Sequence, residues 1–89
     1  MMNYEKICKG ALERYGIVSQ VGMMEEEMNE LSIALHHFQR GRATVDEVIT
    51  EIADVAIMVY QMALLFGKEG VDKEVDRKLQ RLEKKLSKL

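Results

Sequence analysis

The chain has 89 residues, which is one domain at the small end of what folds unaided. Its formal charge of −2 argues against a nucleic-acid binder that works through a broad basic surface. A nucleotide ligand stays open, because a bound cation can offset phosphate charge. With 47% hydrophobic and 31% charged residues, no proline and abundant Leu, Met, Glu and Lys, the composition predicts an all-α fold. These are straight-chain helix formers, and nothing interrupts them.

The first helix is expected over Asn3 to Tyr15, with Gly16 as its stop. Cys8 falls within it and reads as a small buried apolar residue. A lone cysteine cannot form an internal disulfide, so a reducing, cytoplasmic setting is expected. The second helix begins at Ile17, or after Ser19 as cap, and runs to about Gln39. Arg40-Gly41-Arg42 then makes a polar connection whose arginines read as loop charges. Thr44 followed three residues later by Glu47 is a capping-box signature for the third helix, which runs to about Phe66. Gly67 and Gly70 bracket the next turn, and a fourth helix runs from Val71 or Asp72 to near the C-terminus. No signal peptide is visible. The apolar run from Ile52 to Phe66 is interrupted by Asp54 and is too short to cross a bilayer.

At 100° per residue, the second helix places Ile17, Met24, Met28, Leu31, Leu35 and Phe38 on one apolar arc, with Glu27 at its border. On the third, Val45, Val48, Ile52, Val55, Val59 and Ala63 form one apolar face, while Glu47, Glu51 and Asp54 share the opposite side. That side turns apolar through Met58, Met62 and Leu65. The second half of the helix is therefore apolar all round, a pattern that needs to be surrounded. On the fourth, Val75, Leu79, Leu82, Leu86 and Leu89 alternate spacings of four and three, a coiled-coil-like seam. Four short helices cannot surround one of their own, so a homo-oligomer, a dimer or a dimer of dimers, is expected.

Two carboxylate pairs stand out at spacing i, i+3: Glu27 with Glu30, and Glu51 with Asp54. Stacking like charges on one helix face is unfavourable, and neither set has an intrahelical cation beside it to relieve it. A solvated acidic face is the plain alternative. If the two helices pack antiparallel, however, Glu30 lies about 15 Å from Arg40 and Glu51 about 14 Å from Arg42, so the sets meet at one height. Four converging carboxylates suit Mg²⁺ or Mn²⁺, with positions left for water and phosphate oxygens. A di-iron centre would need Glu-x-x-His pairs, and His36 and His37 lie six or more residues past Glu30. Those histidines fit the C-terminal end of the second helix.

The ordered set Gly16, Gln20, Glu26-Glu27-Met-Asn-Glu30-Leu31, a basic loop, Glu51-Ile-Ala-Asp54-Val55 and then Lys78-Leu-Gln-Arg81-Leu resembles the MazG-like branch of the all-α nucleoside triphosphate pyrophosphohydrolases. The resemblance spans roughly Tyr15 to Leu82. It implies a compact four-helix subunit assembling as a homodimer or homotetramer, with Glu27, Glu30, Glu51 and Asp54 holding Mg²⁺. The implied reaction is water attack on the α-phosphorus of a nucleoside triphosphate, releasing the monophosphate and pyrophosphate, with Glu26 or Glu27 taking the proton from water. Lys78 and Arg81 would meet phosphate oxygens, or else belong to a solvated basic face. Gln20 would contact base or sugar, or fill a polar position, and Met23 could touch the base. The rival reading is a non-catalytic helical module whose fourth-helix seam binds a partner protein.

Overall fold

The computed structural model describes residues 2–88 as four helices: α1 (Tyr4–Tyr15), α2 (Ile17–Gln39), α3 (Val45–Phe66) and α4 (Lys68–Ser87). No strand occurs among the described residues, so the all-α expectation holds. Asn3 caps α1, its side chain accepting from the Lys6 N–H at 3.0 Å, which satisfies one of the four amides a helix start leaves unpaired. The capping box at α3 forms as expected. The Glu47 N–H donates to Thr44 Oγ1 at 3.1 Å, and the Thr44 N–H donates back to Glu47 Oε2 at 3.4 Å.

Of the two starts expected for the second helix the one at Ile17 is found, while the start of α4 differs from expectation. Ser19 caps nothing: α2 begins directly at Ile17, because Gly16 with φ +87° turns the chain and its carbonyl accepts from the Gln20 N–H at 3.1 Å. Helix α4 begins at Lys68 rather than Val71 or Asp72, and Gly70 lies inside its first turn. Gly67 alone, at φ +129°, makes the whole corner. Its N–H closes α3 on the Ala63 carbonyl at 2.9 Å, and its own carbonyl opens α4 by accepting from Val71 at 3.0 Å. A Lys68–Asp72 ion pair at 3.0 Å then reinforces the turn that was expected to be loop.

Helices α2 and α3 form an antiparallel hairpin across residues 40–44, and α1 lies over both. α4 touches α3 and neither of the other helices. The buried set is thin: Cys8 on α1, Met58 and Ala63 on α3, and the amides of Gln20 and Gln61. The inward side of α3 is the one carrying Glu51, Asp54, Met58, Gln61, Met62 and Leu65. Of the apolar face expected on α3, Ala63 is buried and Val48 and Val55 are partly covered, whereas Val45, Ile52 and Val59 are exposed, as are Met28, Leu35 and Phe38 on α2.

On α4 the seam residues Val75, Leu79, Leu82 and Leu86 are all exposed, and Leu89 lies outside the described residues. The chain is correspondingly extended. Its radius of gyration is 15.9 Å, against about 12 Å for a compact domain of this length. At 22 residues, α3 spans the expected range from its Thr44 cap to Phe66. By length and composition alone it could cross a membrane, although its inward face carries two acids.

Candidate metal centre

Three facing pairs define the register of the hairpin. Gln61 Nε2 donates to Gln20 Oε1, and the carboxylates of Glu27 and Asp54, and of Glu30 and Glu51, oppose each other by the same rule. Each pair is equidistant in sequence from the Arg40-Gly41 turn, as an antiparallel hairpin with a tight connection requires.

Glu27, Glu51 and Asp54 each offer a carboxylate oxygen such that all three lie within 4.8 Å of one another. All three side chains are half-buried. One oxygen each of Glu27 and Glu51 is sealed from solvent and has no hydrogen-bond partner. Buried polar atoms are almost always satisfied, and these two carboxylate oxygens are exceptions. The donor set is all hard oxygen, which fits Mg²⁺ or Mn²⁺.

Burial pushes the Glu27 carboxyl above its ordinary value, and the charges of Glu30, Asp54, Glu51 and Glu26 add to the effect in that order. Glu51 is raised first by burial as well, then by Glu30 and Asp54, and by a proton-sharing contact with Glu30. No cation acts on either group. The folded protein therefore binds more protons than the unfolded chain at pH values above 4.5, and its stability falls as pH rises through the raised range. A thermal-unfolding series on metal-free protein between about pH 5 and about pH 7 is expected to show a declining Tm. Added Mg²⁺ is expected to flatten that slope, because a bound cation holds the carboxylates ionised. A metal-free curve that rises with pH would contradict this electrostatic account.

The remaining residues singled out in the sequence are placed as follows. Glu30 is exposed at the edge of the three-acid cluster, next to Glu51, and Glu26 is exposed outside it. Gln20 is 6% exposed and engaged with Gln61, itself 2% exposed. Lys78 and Arg81 are exposed on α4, a helix that does not touch α2. Lys78 lines a groove with Phe66, Val71 and Glu74, so a single chain does not bring these cations to the acids. Met23 is exposed between Gln20 and Glu27 on α2.

Two features went unanticipated. Gln61 is the buried partner of Gln20, and the signal for it was a lone amide in the otherwise apolar half of α3, on the same face as Asp54. His37 lines a groove of about 380 Å³ that opens beside the acids, together with Glu30, Glu47, Glu51, Ile33, Ala34 and Ala43. Comparisons of the chain with protein-family models, with curated proteins and with solved structures returned no match.

Proposed function

We propose that the protein is a Mg²⁺-dependent nucleoside triphosphate pyrophosphohydrolase of MazG-like type, cleaving the α–β phosphoanhydride to give the monophosphate and pyrophosphate. One observation carries the reading: three carboxylates from facing helices converge within 4.8 Å, and two of them keep buried oxygens without partners. Glu27, Glu51 and Asp54 would hold the cation, with Glu30 reaching in from the edge. When bound, Mg²⁺ neutralises triphosphate charge and lowers the pKa of coordinated water.

The chain's own part begins with positioning. Half-burial of the acids limits water at the cluster and fixes their side chains on rigid helices. The oxygen of the attacking water bonds to the α-phosphorus, the bridging oxygen leaves with pyrophosphate, and the water proton passes to a carboxylate. Glu27 is better suited than Glu26 to accept it, because Glu27 lies in the cluster with a raised pKa while Glu26 faces solvent. Lys78 and Arg81 suit phosphate oxygens, and we assign them to a site completed by a second copy, since their own α4 stays clear of α2. We assign the activity to nucleotide-pool housekeeping in a reducing, cytoplasmic setting, in keeping with the single free Cys8.

Exposed surface supports the assembly. The chain presents 7374 Å², against about 5,300 Å² for a compact monomer of its mass. The excess is more than the about 800 Å² per partner that a standard interface covers. The same uncovered α4 seam supports the rival reading of a non-catalytic module that docks on a partner protein. A panel of ribo- and deoxynucleoside triphosphates with Mg²⁺, scored for pyrophosphate and for orthophosphate, separates the two. Pyrophosphate release is expected. Orthophosphate alone, or no release from any substrate by folded protein, would overturn the assignment.

A further inference from the structure

The groove of about 380 Å³ starts where the acid cluster ends, because Glu30 and Glu51 line it as well. Its volume is within the range of small-molecule sites, about 300 to 1,000 Å³. The grooves along α1, along α2 and at the corner of Phe66 and Lys78 border no member of the cluster.

Register explains the opening. The pairing that sets Glu30 against Glu51 sets Ala34 against Glu47, one turn nearer the connection. A methyl group opposite a longer side chain leaves the seam unfilled there, and Ile33 and Ala43 make the walls apolar. His37 lines the groove a turn further on, at a helix end held firm. Its carbonyl accepts from the Arg40 and Arg42 N–H groups at 3.1 and 2.7 Å. The lining residues include three carboxylates and neither Lys nor Arg, so the groove suits a flat, uncharged ring and repels phosphate.

Glu47 gives the groove a direction. The capping box fixes its carboxylate, Oε2 accepting from the Thr44 N–H at 3.4 Å and leaving Oε1 outside that bond. A carboxylate accepts hydrogen bonds and donates none, so it cannot be turned to serve either kind of partner. Glu47 precedes Glu51 by four residues and Asp54 by seven, which places it about 6 to 10 Å along α3 from the two acids. That span is comparable to the separation of the α-phosphorus and the base edge in a nucleotide.

We propose that this groove receives the nucleobase and that Glu47 is its specificity-determining residue, accepting from an exocyclic amino group. The inference rests on the pyrophosphohydrolase reading and goes beyond it by naming a substrate class. Cytosine and adenine carry an amino group where uracil and hypoxanthine carry a keto oxygen, and that oxygen would meet the carboxylate lone pair to lone pair.

The test measures kcat/KM for dCTP against dUTP and for dATP against dITP, with wild type, Glu47→Gln and Ala34→Leu. Wild type is expected to favour the amino member of each pair by about tenfold or more, the worth of one hydrogen bond to a charged group. Gln also serves in a capping box, yet its amide donates as readily as it accepts, so Glu47→Gln is expected to bring both ratios toward unity. Ala34→Leu fills the groove and is expected to lower kcat/KM for all four by at least about tenfold, with the Mg²⁺-induced rise in Tm as in wild type. An active wild type without the preference, or unchanged ratios in Glu47→Gln, overturns the role of Glu47. Unimpaired turnover in Ala34→Leu overturns the groove as the base site. Each of these results leaves the pyrophosphohydrolase reading intact, whereas a wild type that cleaves no nucleotide overturns both.

Discussion

Replacing Glu51 with Gln is expected to abolish pyrophosphate release while raising the thermal stability of the metal-free protein. The two effects share one cause. Glu51 sits within 4.8 Å of Glu27 and Asp54, with one oxygen buried and unpartnered and with burial and neighbouring anions both resisting its ionisation. Gln keeps the volume, removes one negative charge and supplies N–H donors to the carboxylates that remain. The metal-free fold therefore gains stability, by a few degrees in Tm, in the manner of a site kept strained for function. The same change removes a hard anionic ligand, and turnover is expected to fall by at least about a hundredfold, the usual cost of losing one preorganised electrostatic group.

Stability gain alone does not separate enzyme from interaction module, since relief of repulsion would follow either way. The response to Mg²⁺ does. Wild type is expected to gain Tm with Mg²⁺ through binding to the native state, and the Glu51→Gln protein is expected to gain little or nothing. Wild-type turnover in the variant, or a wild type whose Tm ignores Mg²⁺, would remove the metal centre from the account.

Much of this site was legible because its parts are local or governed by a simple register. The capping box needs only Thr44 and Glu47 at the right spacing, and a short connection forces residues equidistant from it into apposition. That is why the acids of α2 and α3 could be matched in height from the sequence. How far each apolar position of α3 is covered was less legible. In the stripe Val45, Val48, Ile52, Val55, Val59 and Ala63, Ala63 is buried while Val45, Ile52 and Val59 are exposed. Periodicity reports that a face avoids water; it does not say whether its own chain or another covers it. Gln61 was missed for a related reason, since one amide in an apolar run shows its purpose only when Gln20 lies opposite. The early start of α4 depends on a single backbone angle at Gly67, and Gly70 supplied a misleading second punctuation mark.

The uncovered stripe leads to the remaining large effect. Wild type is expected to sediment as a multiple of its 10.2 kDa chain, and Ile52→Asp on α3 or Leu82→Asp on α4 is expected to weaken assembly by on the order of a hundredfold. Ile52 and Leu82 are each about half-exposed in the single chain, at 49% and 50%, amid other exposed apolar side chains. At 100° per residue, Ile52 and Val45 lie about 160° to 180° round α3 from Gln61, on the side away from α2, where they are exposed apolar side chains of the single chain. Charge favours a second copy as the cover. The C-terminal half of α4 is basic through Lys78, Arg81, Lys84 and Lys85, whereas α2 and α3 present Glu25, Glu26, Glu30 and Glu47 to solvent.

Docking α4 of one chain beside the acids of another would bury the seam and bring Lys78 and Arg81 toward the triphosphate. Each Asp variant is therefore expected to lose turnover along with assembly, even though neither Ile52 nor Leu82 is a ligand. Analytical ultracentrifugation across a concentration series, read beside the pyrophosphate assay, checks both consequences. A wild type that stays at 10.2 kDa while remaining active would show that one chain suffices and would end the role assigned to a second copy.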